Sequence, residues 1–228
     1  HALHQGYLRG LQQQGGAVVT DADVTGVQRR NGKWQVTTGA GDFAAPVLID
    51  AAGAWADVIA GRAGARPVGL VPKRRTVIVF DPPAGLKIDS WPLTIAADES
   101  FYFKPDAGRI LASPADETPM PPCDIQPDEI DIALCADRLQ QATTLPIRSI
   151  LRKWAGLRSF VADKSPVAGF DPDLPGFFWL AGQGGYGIQT APAMGQLVAA
   201  LADGKGVPAE LTALGIDAAD LSPARFQP

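Results

Sequence analysis

The sequence predicts an α/β fold interrupted by an α+β insertion that carries a mixed, mostly antiparallel sheet. Three observations lead to it. Two segments share one layout of apolar strand, small residues with glycine, then helix: VLIDAAGAWAD from Val47 and FFWLAGQGGYGIQT from Phe177. Their apolar runs are continuous rather than alternating, as expected of strands covered on both faces. Between them, residues 68–161 hold short strand-like runs separated by turn residues, the pattern of antiparallel pairing. The expected division is 1–66, 67–163 and 164–228, the last piece returning to the first.

Ala2–Gln14 reads as an amphipathic helix, with Leu3, Tyr7, Leu8 and Leu11 on one face and Gly15-Gly16 as its stop. Ala17–Thr20 reads as a short apolar strand. Val24–Arg30 and Lys33–Thr38 flank Asn31-Gly32, the strongest short hairpin signal because both residues tolerate positive φ. A turn at Gly39–Asp42 leads into Phe43–Asp50, and a helix is expected from about Trp55. Val68–Phe80 is a strand with Lys73, Arg74 and Arg75 in its middle. Side chains alternate along a strand, so Arg74 and Arg75 point opposite ways. Asp81–Pro92 is a proline-rich loop. Thr94–Ala97, Ser100–Lys104 and Arg109–Ser113 follow as strands, the last two joined by Pro105–Gly108. SPADETPMPP is a loop, and Pro127–Thr144 a helix with Asp128 and Glu129 in its first turn. Ser149–Val161 is a long strand and Phe177–Ala181 a buried one. The helix after it places Met194, Leu197, Val198 and Leu201 at near-helical spacing, with Pro192 early, where a missing N–H costs little. Ala209–Asp220 is a short helical tail.

Composition narrows the function. A net charge of −4 argues against nucleic acid and anionic membrane as partners. No apolar run approaches the ~20 residues of a membrane span, and a cytoplasmic location is expected. Cys123 and Cys135 are too few for a disulfide framework. His1 and His4 lack a third ligand, so no metal site is expected.

The glycines at 182, 184, 185 and 187 offer bare backbone in front of a helix amino end. A ligand cradle and a plain tight connection both explain them, and the same two readings apply at Ala51-Ala52-Gly53. In the insertion, Arg158 follows Gly156, which leaves room beside it; Tyr102 and Arg75 lie on nearby strand patterns. An arginine fork matches a carboxylate, and a tyrosine hydroxyl adds one hydrogen bond. Pairing of Arg158 with Asp163 or Asp171, and core roles for Tyr102 and Trp55, are the structural alternatives.

GGYGIQTAPAMG, WAGLRSF and LIDAAGAWAD together resemble the D-amino-acid oxidase family of FAD-dependent amine oxidoreductases, with most similarity to its D-arginine dehydrogenase branch. The resemblance runs from about Ala2 to Phe226. It implies a partial FAD-binding Rossmann-like domain plus a sheet-based substrate domain. The implied reaction oxidises a D-amino acid, basic or neutral in side chain, by hydride transfer to non-covalent FAD. The imino acid then hydrolyses to a keto acid and ammonia, and oxygen or a quinone reoxidises the flavin. By the same resemblance Arg75, Tyr102 and Arg158 are catalytic and meet the substrate together with Gly156, Gly185 and Gln189. Val24, Ala51, Ala52, Gly53, Trp55, Arg158, Gly184, Gly185, Tyr186, Gly187, Ile188, Gln189 and Thr190 fall at the cofactor. The first strand and the GxGxxG turn after it, which the family carries in its N-terminal portion, are not in this sequence. The chain is therefore expected to be the C-terminal part of a longer enzyme, binding FAD weakly or not at all and inactive alone. A glycine- or sarcosine-type amine oxidase and a non-catalytic, partner-binding truncated subunit are the alternatives.

Overall fold

The computed structural model describes residues 1–226. After helix α1 (Ala2–Gln13), strands β1 (Val24–Arg30) and β2 (Lys33–Thr38) meet at Asn31-Gly32, whose φ angles of 52° and 78° make the primed turn that matches strand twist. β3 (Gly41–Ala45) pairs with β2 to complete an antiparallel sheet. Trp34 points inward from it and is 2% exposed. Its ring meets Phe177 edge-on at 5.6 Å, and its Nε1–H donates to the Pro175 carbonyl at 3.3 Å.

The second sheet has the order β10–β11–β4, formed by β4 (Leu48–Asp50), β10 (Val167–Phe170) and β11 (Phe177–Ala181). β11 pairs parallel with β4. The two strand–glycine–helix segments thus lie side by side, with both carboxyl ends at one edge. Helix α2 (Ala56–Ala63) brings Ala56 and Ala60 against Phe177 and Trp179. Helix α4 (Gly187–Ala202) brings Val198 against Phe178 on the other face. This two-sided cover explains the continuous apolar run. Gly176 enters β11 with φ +79°, and a Cβ there would stand 2.5 Å from the Pro46 carbonyl oxygen, so only glycine fits.

The third sheet has the order β6–β7–β8–β5–β9. Its strands are β5 (Val71–Phe80), β6 (Thr94–Ile95), β7 (Tyr102–Asp106), β8 (Arg109–Ser113) and β9 (Arg152–Phe160). Helix α3 (Glu129–Ala142) covers one face, packing Ile132, Cys135 and Leu139 on Ile78, Phe80, Phe103, Ile110 and Ala112. Burial pushes the Cys135 thiol up to about 12, so it stays protonated and inert. Arg74 lies on this face and pairs with Asp131 of α3 at 2.8 Å.

Several expectations shift. Ala17–Thr20 forms no ladder with any described strand. Phe43–Asp50 is two strands, broken where Pro46 carries the chain from the first sheet to the second. The β7–β8 turn is Ala107-Gly108 alone, with φ of 51° and 77°; Pro105 belongs to β7, past its last pairing with β6. Pro127 precedes α3, and the helix is capped by Asp128, whose carboxylate accepts from the Ile130 N–H at 2.8 Å. β10 was not anticipated, because Pro166 and Pro172 bracket so short a run. Pro192 is the sixth residue of α4, so it removes a bond to the Ile188 carbonyl. The tail is two helices, α5 (Ala209–Thr212) and α6 (Ala218–Leu221), parted at Gly215 with φ +83°. Among the described residues no helix is long and apolar enough to cross a membrane.

Candidate functional site

At the carboxyl ends of β4 and β11 lies a cleft of about 350 Å³. Ala51, Gly53 and Ala54 line it from the first turn, and Gly182, Gln183, Gly184 and Gly187 from the second. Leu157 and Ser159 of β9 and Ala191, Met194 and Gly195 of α4 complete it. The walls are mostly glycine and alanine, so a flat ligand meets backbone directly, and the α4 amino end faces it. The Gly184 N–H donates to the Ser159 carbonyl at 2.9 Å, which ties the glycine turn to β9. A Cβ on Gly184 would stand 2.7 Å from the Phe160 ring.

Asp50 ends β4 beneath this cleft and is 2% exposed. Its Oδ1 accepts from the Ala52 N–H at 3.1 Å, whereas Oδ2 has no partner among the described residues. Burial pushes its carboxyl up to about 7, against the Ala52 hydrogen bond and with help from the Asp57 charge. Asp57 is itself held by the N–H groups of Val68 and Leu70, at 3.0 and 2.7 Å.

The face of the third sheet away from α3 is cationic. The β5–β9 register sets Lys73 opposite Arg158 and Arg75 opposite Gly156, so the three basic side chains share that face. The Arg75 guanidinium lies 6.0 Å from the Tyr102 ring. Its Nε–H donates to the Asp116 carbonyl at 2.9 Å, and its Nη2 pairs with Glu117 at 3.1 Å. Glu117 also pairs with Lys73 at 2.9 Å, and that hydrogen bond, more than the charges of Lys73, Arg75 and Lys164, holds its carboxyl below the usual range. Arg158 differs: it makes no ion pair and no side-chain hydrogen bond among the described residues. Asp163 is taken by Arg225 at 2.8 Å, and Asp171 by the Trp179 Nε1–H at 3.0 Å. The Arg158 fork lies against the glycine turn, with Nη1 only 3.1 Å from where a Gly185 Cβ would be.

Gly185→Ala should therefore displace the Arg158 head while leaving the fold intact. The expected result is an unchanged melting temperature with KM for substrate raised roughly tenfold to a hundredfold, the scale of small misplacements at an anchor. Steady-state kinetics beside a thermal melt checks it.

The family model for FAD dependent oxidoreductases (DAO) matches residues 1–201. The chain belongs to that family. The hydrogen cyanide synthase subunit HcnC of Pseudomonas aeruginosa is 26% identical, over 99% of this chain and 52% of the relative's length. Glycine oxidase from Geobacillus kaustophilus shares the fold at TM-score 0.77 and 24% identity, covering 92% of this chain and 54% of that one. Iminodiacetate oxidase from Chelativorans sp. BNC1 does so at 0.78 and 21%, covering 97% and 57%. The chain thus spans about half the length of these three proteins. The family's cofactor is FAD. The residues present fit it: a cleft of glycine and alanine at the ends of parallel strands, opening on a helix amino end.

The structure gathers Ala51, Gly53, Gly184 and Gly187 in the cleft and sets Gly185 against Arg158. Arg75, Tyr102 and Gly156 lie together on the sheet, with open space beside Gly156. Other expected cofactor positions do not line the cleft. The Ala52 N–H serves Asp50, and Trp55 is exposed at the start of α2. Tyr186 and Ile188 are 67% and 78% exposed, Gln189 is exposed, and the Thr190 hydroxyl donates to the Tyr186 carbonyl at 3.0 Å. Val24 opens β1, where its carbonyl accepts from Arg62. Sequence reasoning missed Gln183, Leu157, Ser159, Met194 and Glu117. Leu157 and Ser159 leave β9 on the face opposite Arg158, so strand alternation carried no signal for them, and Glu117 sits in a loop and carries none either.

Proposed function

We propose that this protein acts in the oxidation of a D-α-amino acid by FAD, with residues 67–163 as the substrate-binding part and the flanking segments holding the cofactor. One observation carries the reading: Arg158 is a cation without a partner among the described residues, its planar fork lying against the glycine turn beside the cleft. An unsatisfied arginine at a pocket rim matches the α-carboxylate of an amino acid. When bound, FAD would supply the two-electron oxidant for the Cα–H bond, and hydrolysis of the resulting C=N bond would give a keto acid and ammonia. The chain's own residues do the positioning. Arg158 fixes the carboxylate, Tyr102 offers a hydroxyl to orient it, and Arg75, whose Nε and Nη2 are engaged, contributes through its remaining Nη1. The small-residue walls at Ala51, Gly53, Gly184 and Gly187 let a flat ring approach the backbone closely.

Anaerobic mixing of the FAD-reconstituted protein with a panel of amines tests this. The expected result is loss of oxidised-flavin absorption with D-amino acids and none with the corresponding decarboxylated amines. Equal bleaching by the decarboxylated amines would overturn the carboxylate anchor. Bleaching confined to glycine and N-methylglycine would move the assignment to the glycine- or sarcosine-type reaction.

A further inference from the structure

The site's charges do not balance. Lys73 and Arg75 share a single carboxylate, Glu117, at 2.9 and 3.1 Å. That trio carries one excess positive charge, and Arg158 on the same face adds another. The excess is local, since the whole chain has a net charge of −4. It is also contiguous. Lys73 Nζ stands 5.1 Å over the Phe160 ring, and that ring backs onto Gly184, next to Gly185 and the Arg158 fork. Cross-strand partners such as Lys73 and Arg158 have Cα atoms about 5 Å apart, so the two side chains leave the sheet side by side on one face. Glu117 is ionised and already committed to Lys73 and Arg75, which leaves it a poor seat for a cationic side chain. A ligand with one carboxylate neutralises Arg158 and leaves the Lys73–Arg75 end still positive.

We infer that the site takes an amine carrying two carboxylates, an α-amino- or imino-dicarboxylate, with the first on Arg158 and the second at the Lys73–Arg75 end. This rests on the amino-acid reading above and names its substrate class. A monocarboxylate fills half of the site, and a ligand with a basic side chain meets repulsion there.

Calorimetric titration of the FAD-reconstituted protein with matched probes tests it: D-aspartate against D-alanine, iminodiacetate against N-methylglycine, and D-arginine as the opposite charge. Each matched pair differs by one carboxylate. The dicarboxylates should bind roughly tenfold tighter, the scale of one partly buried ion pair, with the ratio shrinking as salt rises. D-Arginine should bind most weakly. In Lys73→Met the ratio should fall towards one, and in Lys73→Arg it should persist, which separates loss of charge from loss of fold. Equal binding within each pair, or a preference that survives Lys73→Met, overturns the dicarboxylate inference while the amino-acid reading stands. Failure of all five compounds to bind overturns both.

Discussion

Arg158→Met should lower kcat/KM for the amino-acid substrate by about a hundredfold to a thousandfold, equivalent to about 3–4 kcal/mol for a charge-assisted, two-pronged contact. Most of the loss should appear in KM, because the carboxylate is held both before and during reaction. Deleting one half of an ion pair commonly also destabilises the protein by stranding the other half. Arg158 has no such partner among the described residues, so its removal strands nothing. The melting temperature and the FAD content should therefore stay as in the wild type. Arg158→Lys should recover only part of the loss, since an ammonium keeps the charge and loses the planar fork. Steady-state kinetics with a thermal melt on the same preparations checks both variants; a loss of less than threefold in Arg158→Met would remove this residue from the substrate's carboxylate.

Asp50→Asn should stabilise the protein most at pH 8 and progressively less as pH falls, converging on the wild type only near pH 4. The carboxyl sits at about 7 in the fold and about 3.8 in the open chain, because burial disfavours its charge. The folded state thus holds a proton that the unfolded state releases. Its stability falls as pH rises from about 4 to about 7, then levels off. The full span is worth at most about 4 kcal/mol. Asparagine keeps the Oδ1 acceptor for Ala52 and removes the charge, so the variant's stability should lose this slope. Urea unfolding at pH 5, 6, 7 and 8 measures it. Parallel curves for both proteins would mean that Asp50 is solvated or paired in solution.

The sequence made some features legible because local chemistry determines them. Asn31-Gly32 specifies its own turn whatever surrounds it, and the continuous apolar run at Phe177–Ala181, bounded by Gly176 and Gly182, suits a strand with two covered faces. The two glycine turns were placed correctly for the same reason. Features decided by distant packing were not legible. β10 exists because β11 offers it an edge, not because VAGF has strand character of its own. Glu117 reaches Lys73 and Arg75 only because the loop after β8 folds back, with Met120 N–H on the Pro72 carbonyl and Arg74 N–H on the Thr118 carbonyl. The site shows the same divide. Arg158, Tyr102 and Arg75 could be named from residue type and resemblance. That Asp163 and Asp171 have other partners among the described residues depends on Arg225, 62 residues from Asp163, and on Trp179, which the β10–β11 pairing brings to Asp171.

The Gly184–Ser159 backbone hydrogen bond separates what can vary from what cannot. It joins the glycine turn to the residue next to Arg158, so the spacing between Arg158 and the glycine-lined cleft is set along two short peptide segments. Neither segment's side chains define the far end of the pocket, which belongs to β5, β7 and the loop at 114–119. A lineage could therefore exchange Lys73, Tyr102 or Glu117 and retune which molecules it accepts, without resetting the alignment on which the redox step depends. Diversification of such enzymes would then concentrate at one rim of the sheet, while the strand bearing Arg158 stays put.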